Sequence, residues 1–223
     1  MNGDLIVVDD LPGAFAARVI EAFQARSDEL FSIVVSGGET ARAAYERLAE
    51  VGSELIDWFR VNVYWSDERC VPPDHPDSNQ LMVRQALLER VGAANAVYPM
   101  RCDDGPEPYQ LRLGGSGRLD LVHLGMGPDG HTASLFPNSP ALDADPGQLV
   151  MLTEDPSGLN PHKRMTLTYA GVARARLVIF TVAGEAKRRC MQAVVDGADL
   201  PAARVEADRI LWLVDRAAAP EGY

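Results

Sequence analysis

LDLVHLGMGPDGHTASLFP, Leu119 to Pro137, is the stretch that decides how the chain is read. It opens as a largely apolar run, Leu119 to Leu124, and breaks at Gly125 into a loop that holds Gly127, Asp129, Gly130 and His131. A strand apolar on both of its alternating sides needs cover on both faces, which is the situation of a parallel sheet between helices. In such sheets ligands bind beyond the carboxyl ends of the strands, where this loop would lie. An imidazole there can take a proton from water. Asp129 beside it can fix its tautomer. Thr132 is expected to cap a short helix after the loop. Against this stands the plainer role of a histidine that fills a hydrogen-bonding gap. His123, inside the strand, is that plainer kind; His131 has the loop and the company for chemistry.

Working outward, the same alternation continues in both directions. DLIVV (4–8), FSIVV (31–35), VNVYW (61–65), LVIFTV (177–182) and RILWLV (209–214) read as strands, with LVMLT (149–153) and RMTLTY (164–169) beside them. Helical spacing marks 11–26, where Phe15, Val19, Ile20 and Phe23 recur, then 40–50, 78–91 with Asp77 or Ser78 as cap, and 185–197. The stretch 103–117 reads as a surface connection with room for a short helix. The fold class expected is α/β: a single-domain, modified Rossmann-like fold over residues 1–223, mostly parallel, with helices on both faces.

The segments that follow strands are polar, and each can carry chemistry. SGGET places Gly37 and Gly38 between a strand and a helix, so the backbone can approach a ligand and the helix N-terminus can meet an anion. Ser36 and Thr40 flank the pair as further candidate phosphate contacts, or as caps of a plain turn. The pattern is neither GxGxxG nor GxxxxGK[ST], which sets aside dinucleotides and nucleoside triphosphates. WSDERCVPPDHPDSN supplies Asp67 and Arg69; a guanidinium there suits a phosphate or a developing oxyanion. AGEAKRR puts Lys187 in a first helical turn, where a cation conflicts with the dipole unless an anion is bound. KRMTLTY supplies Lys163 and Arg164 at a strand start. Ser36 and Ser134 lack the G-x-S-x-G setting of a serine nucleophile.

The chain has 223 residues, 47% hydrophobic and 24% charged, enough for one large core. Its net charge of −11 argues against a nucleic-acid binder but leaves a small anion open, because a local cluster of cations is screened from the distant surface over about 8 Å. No run approaches a membrane span, and MNGDLIVVDD lacks the build of a signal peptide. Cys70, Cys102 and Cys190 are odd in number and widely spaced, which suits reduced thiols in a cytoplasm. No Cys/His grouping has zinc spacing.

Taken in order, SGGET, WSDERCVPPDHPDSN, LGMGPDGHTASLFP, RMT and AGEAK resemble the 6-phosphogluconolactonase family along essentially the whole chain. The resemblance implies hydrolysis of 6-phosphogluconolactone to 6-phosphogluconate in the pentose phosphate pathway, with no metal or organic cofactor. It implies His131 as general base with Asp129 beside it, and Arg69, Arg164, Lys187, Gly37 and Gly38 around the phosphate and the lactone ring. It implies a small-molecule substrate, no nucleic acid or membrane partner, a monomer or small homo-oligomer, and a cytoplasmic setting. One departure is visible: the family often reads SGGSTP where this chain has Glu39 and Ala41. The sister glucosamine-6-phosphate deaminases share the fold and resemble DGHIAFNEP in the loop, with a glutamate before the proline. Here that residue is Phe136, which removes an acid–base group the deaminase uses. A catalytically silent sugar-phosphate binder is the remaining expectation of a different class.

Overall fold

The computed structural model describes residues 1–223. Its strands are β1 (Asp4–Val8), β2 (Phe31–Val35), β3 (Val61–Trp65), β4 (Asp67–Arg69), β5 (Ala96–Tyr98), β6 (Leu119–Gly125), β7 (Val150–Thr153), β8 (Arg164–Leu167), β9 (Ala175–Val182) and β10 (Arg209–Asp215). The helices are α1 (Leu11–Gln24), α2 (Glu39–Gly52), α3 (Asn79–Val83), α4 (Glu107–Gly115), α5 (Tyr169–Val172) and α6 (Arg188–Val195). Seven strands form one parallel sheet in the order β1-β10-β9-β6-β2-β3-β5. A second, antiparallel sheet holds β4-β8-β7.

Every residue of β2 is buried, as the unbroken apolar run requires of a central strand. α1 starts where the Asp10 carboxylate accepts from Gly13 N at 3.0 Å, and it turns Phe15, Val19 and Phe23 inward at four-residue intervals. Phe180 and Trp212, register partners on β9 and β10, stack with ring centroids 3.8 Å apart. Burying side chains of this size is worth about 1.5–3 kcal/mol each. The main sheet therefore supplies a rigid floor, and the loops at its carboxyl ends inherit their positions from it.

Strand order explains where a ligand goes. From β2 the chain runs outward to β3 and β5; from β6 it runs the other way to β9 and β10. β2 and β6 are neighbours, so the loops after them diverge and leave a crevice at their carboxyl ends. The residues after those two strands are the Gly37–Gly38 pair and the Gly125–His131 loop.

Several expectations need correction. Thr132 caps no helix. Its hydroxyl turns back to Gly125 O at 2.8 Å, and Ala133 takes a left-handed φ of 48° that a helix start does not accept. The helix expected at 78–91 is α3, capped by Ser78, which passes into a π-helical turn over Arg84–Leu88. The helix expected at 185–197 opens as a 3₁₀ turn, Glu185–Lys187, before α6. β4 and β5 were not anticipated, and the 103–117 connection contains α4. The expectation of three reduced cysteines also fails: Cys70 and Cys102 form a disulfide with Cα atoms 5.4 Å apart, while Cys190 is free and buried. The miss follows from β5, the short edge strand that brings Cys102 across to the segment after β4.

Candidate active site

The crevice is a cleft of about 410 Å³ bordered by Ser36, Gly37, Gly38, Thr40, Asp67, Arg69, His131, Arg164 and Lys187. Asp129 stands outside its wall, behind His131. Lys163, Arg188 and Arg189 lie off the cleft; Arg188 instead donates to Ala217 O and Arg216 O.

His131 is placed by a tight turn. Gly127 N donates to His131 O at 2.8 Å, and Gly130, with φ of 84°, closes the loop. A Cβ on Gly127 would overlap the imidazole itself, so the loop brings backbone against the ring in a way only glycine permits. Asp129 Oδ1 lies 2.6 Å from His131 Nδ1 and also accepts from His131 N at 3.2 Å. Burial pushes the Asp129 carboxyl up, but the hydrogen bond and charge of His131 outweigh it and hold it below the usual carboxylate range. An ionised carboxylate can only accept, so Nδ1 carries the hydrogen and Nε2 presents a lone pair. The Phe136 ring packs on the imidazole with centroids 4.9 Å apart. The arrangement is a histidine held in one tautomer with its basic nitrogen free.

The cations come from the small sheet and from the turn after β9. Asp67 and Arg69, two apart on β4, point to one side, and Glu68 points to the other. Glu68 is structural: its carboxylate accepts from Arg69 N, Asn79 N, Gln80 N and Ser78 Oγ, and so caps α3. Across the ladder Arg69 faces Arg164 directly. Like charges at opposed positions repel, and Asp67 Oδ2, 3.9 Å from Arg164 Nη1, is the compensating charge. Burial lowers the Arg164 guanidinium pKa, Asp67 opposes that, and Arg69 adds to it. The Nε atoms of both arginines are buried and have no partner in the protein. The two guanidinium groups border the cleft, and together they form a site for an oxyanion. Lys187 enters from the 3₁₀ turn; burial lowers its ammonium pKa, with Asp129 pulling the other way.

Opposite lies the start of α2, where Gly38, with φ of 99°, is the cap residue. The first-turn N–H groups have no intrahelical partner and point into the crevice end. Gly37 must be glycine for a local reason, because a Cβ there would overlap the Asn79 amide. Ser36 borders the cleft, but its hydroxyl is engaged inward, to His123 O at 2.7 Å and Ser66 Oγ at 2.8 Å. Glu39 is exposed at the rim, 3.8 Å from Arg42. No cluster of three or more His, Cys, Asp and Glu side chains has the geometry to hold a metal ion.

Sequence reasoning missed Asn79, Asn160, Ala133 and Thr181 on the cleft wall. Asn79 Nδ2 donates to Asp67 O and Oδ1 at 2.9 and 3.2 Å, and the DSN sequence beside the DER segment was the available signal. Asn160 is fixed by Asp155 Oδ2, which accepts from its N and Nδ2 at 2.9 and 2.8 Å, a contact with no signature in the sequence. Ser134, no nucleophile, donates to Asp67 Oδ2 at 2.6 Å.

The family model described as glucosamine-6-phosphate isomerases/6-phosphogluconolactonase matches residues 7–212. A 6-phosphogluconolactonase of Nostoc sp. is 38% identical over 210 residues, which cover 86% of this chain and 84% of that protein. A 6-phosphogluconolactonase of Mycobacterium tuberculosis is 35% identical over 230 residues, covering 94% and 90%. The crystal structure of 6-phosphogluconolactonase from Leishmania guyanensis superposes with a TM-score of 0.85 at 27% identity, over 100% of this chain and 99% of that one.

Proposed function

The chain belongs to the glucosamine-6-phosphate isomerase/6-phosphogluconolactonase family, and from that premise we propose that it hydrolyses 6-phospho-D-glucono-1,5-lactone to 6-phospho-D-gluconate in the pentose phosphate pathway. Within the family the observation that carries this reading over deamination is Phe136. It is buried against His131, at the position where a deaminase resembles a glutamate for proton transfer at carbon. Lactone hydrolysis needs no group there.

A δ-lactone is an activated ester, so the protein must place water, take its proton and steady the oxyanion. His131 Nε2 accepts the proton as water bonds to the lactone carbonyl carbon. Arg69 or cleft N–H groups stabilise the oxyanion. The ring C–O bond then breaks, and the departing ring oxygen takes the proton back from His131. Arg164, Lys187 and the Gly37–Gly38 loop, with Thr40 beside it, hold the phosphate and orient the ring, while Ser36 faces inward and anchors the loop. Asp67 holds Arg164, and Asp129 holds His131. The reading takes residues 1–223 as one lactonase domain acting on a small-molecule substrate, as a monomer or small homo-oligomer without nucleic-acid or membrane partners. No helix is long and apolar enough to cross a membrane.

The test is pH-stat hydrolysis of fresh 6-phosphogluconolactone, corrected for spontaneous opening, beside an ammonia-release assay on glucosamine 6-phosphate. Lactone turnover alone is expected; ammonia release without it would replace this reading with the deaminase. Tight binding of 6-phosphogluconate without either activity would make the chain a silent binder.

Arg164→Ala and Lys187→Ala are expected to raise KM about 10-fold or more with smaller effects on kcat, as loss of uniform binding requires. Unchanged KM in both variants would take them out of the phosphate site. We place the protein in the cytoplasm, where thiols are kept reduced. That setting requires cellular reductants to open the Cys70–Cys102 bond seen in the structure. Alkylation in fresh lysate is expected to label Cys70 and Cys102; protection of both would overturn the compartment assignment.

A further inference from the structure

Behind the cleft floor three buried polar side chains form one line that the reaction as described does not use. Tyr45 on α2 lies with its hydroxyl oxygen 2.7 Å from Ser36 N and 2.7 Å from His123 Nδ1. His123 Nε2 on β6 lies 2.8 Å from Thr181 Oγ1 on β9. His123 is fully buried, and the Phe15 ring packs on its imidazole at 4.2 Å, so the ring cannot swing away.

Counting protons fixes the direction of the line. An amide N–H can only donate, so the Tyr45 oxygen accepts from Ser36 N. The single Tyr45 hydrogen then has one acceptor in reach, His123 Nδ1. The opposite tautomer would leave that hydrogen buried with no acceptor, which folded proteins avoid. Burial also keeps the imidazole neutral, drawing its pKa down to about 3. Nε2 therefore carries the hydrogen and donates to Thr181 Oγ1. Thr181 makes no other side-chain hydrogen bond, so its own hydroxyl hydrogen has no acceptor within the protein. Thr181 is 2% exposed and borders the cleft beside Gly125, its register partner, and Lys187. A donor held from behind and open toward a cleft is a donor for a ligand.

We propose that Thr181 is a substrate-contacting residue whose hydroxyl, fixed as a donor by the buried Tyr45–His123 pair, hydrogen-bonds an acceptor oxygen of the bound sugar acid. His123 is the positioning residue. This rests on the lactonase reading and adds to it a contact that none of the recognised motifs contains.

The experiment measures kcat and KM on 6-phosphogluconolactone, and calorimetric Kd for 6-phosphogluconate, in Thr181→Val, Thr181→Ser, His123→Leu, His123→Gln and the Thr181→Val/His123→Leu double variant. Thr181→Val is expected to lower kcat/KM and weaken product binding by roughly 3–10-fold, the worth of one neutral hydrogen bond, with Thr181→Ser close to wild type. His123→Leu is expected to act to the same extent in the wild-type background and not at all in the Thr181→Val background. His123→Gln, whose amide nitrogen can stand near the position of Nε2, is expected to recover much of the loss. Wild-type kinetics and Kd in Thr181→Val would overturn the proposal, and so would equal loss in Thr181→Val and Thr181→Ser. Additive effects of the His123 and Thr181 changes would remove His123 from it. If His123→Leu does not fold, the Val/Ser pair at 181 still decides. Absence of lactone turnover in the wild type would sink the lactonase reading instead, while the Kd ratios would still report on Thr181.

Discussion

His131→Ala lowers kcat for 6-phosphogluconolactone by about 10²–10⁴-fold, the usual worth of a positioned general base, and leaves the fold in place. The imidazole sits at the cleft wall with one-fifth of its side chain exposed, so its loss opens no core cavity. Its sole polar side-chain partner, Asp129, is partly exposed and regains water when the ring is removed. Asp129→Asn is expected to fall between the two, because an amide can present either a donor or an acceptor to Nδ1 and no longer enforces one tautomer. Both are read by pH-stat after subtraction of spontaneous opening, with thermal midpoints alongside. Turnover of His131→Ala near the wild-type level would show that water is activated elsewhere in the cleft.

Asp67→Asn is expected to be the most destabilising single change in the site. The carboxylate is 5% exposed and accepts from Ser134 Oγ and Asn79 Nδ2 while facing Arg164, itself 7% exposed. The amide keeps the shape and removes the charge, so Arg164 and Arg69 face each other across β4 and β8 without the strongest of their counter-charges. Removing one partner of a buried ion pair costs about 3–5 kcal/mol. For a domain of this size that corresponds to a fall of roughly 6–20 °C in thermal midpoint. KM is expected to rise as well, since Ser134 and Asn79 tie Asp67 to the loop after β6 and to the start of α3. A midpoint within two or three degrees of wild type would show that water rather than Asp67 balances the arginines.

What could be read from the sequence followed the hydrophobic pattern. β2, β3 and β1 were read to the residue, because buried parallel strands write themselves as apolar runs. β4 could not be read, for DER carries three charges and no strand signal; it is extended because β8 pairs with it. β5, three residues long, is made by its pairing to β3. The turn at Thr132 was misread because a left-handed alanine has no composition signal. In the site, residues on loops at carboxyl strand ends were legible because topology alone assigns those loops to the ligand side. Asn160 and Thr181 were not, since one is placed by an aspartate five positions away and the other lies in a strand that reads as plain core. His123 was read as a core histidine and is one, but its two specific partners, Tyr45 and Thr181, come from distant elements that only the fold brings together.

The division into two sheets has a consequence for what the cleft can measure. The proposed base and the glycine pair hang from the seven-stranded sheet, and the two guanidinium groups hang from the three-stranded one. Ser66 alone joins β3 to β4, and the hydrogen bonds that Ser134 donates, from its Oγ to Asp67 and from its N to Thr166 Oγ1, stitch the seam. The site is thus a calliper with two rigid jaws. Its opening is set by how the sheets dock, and neither jaw need deform to change it. A substitution along the seam can widen or narrow the gap for sugars of another length while every residue in contact with the ligand stays the same.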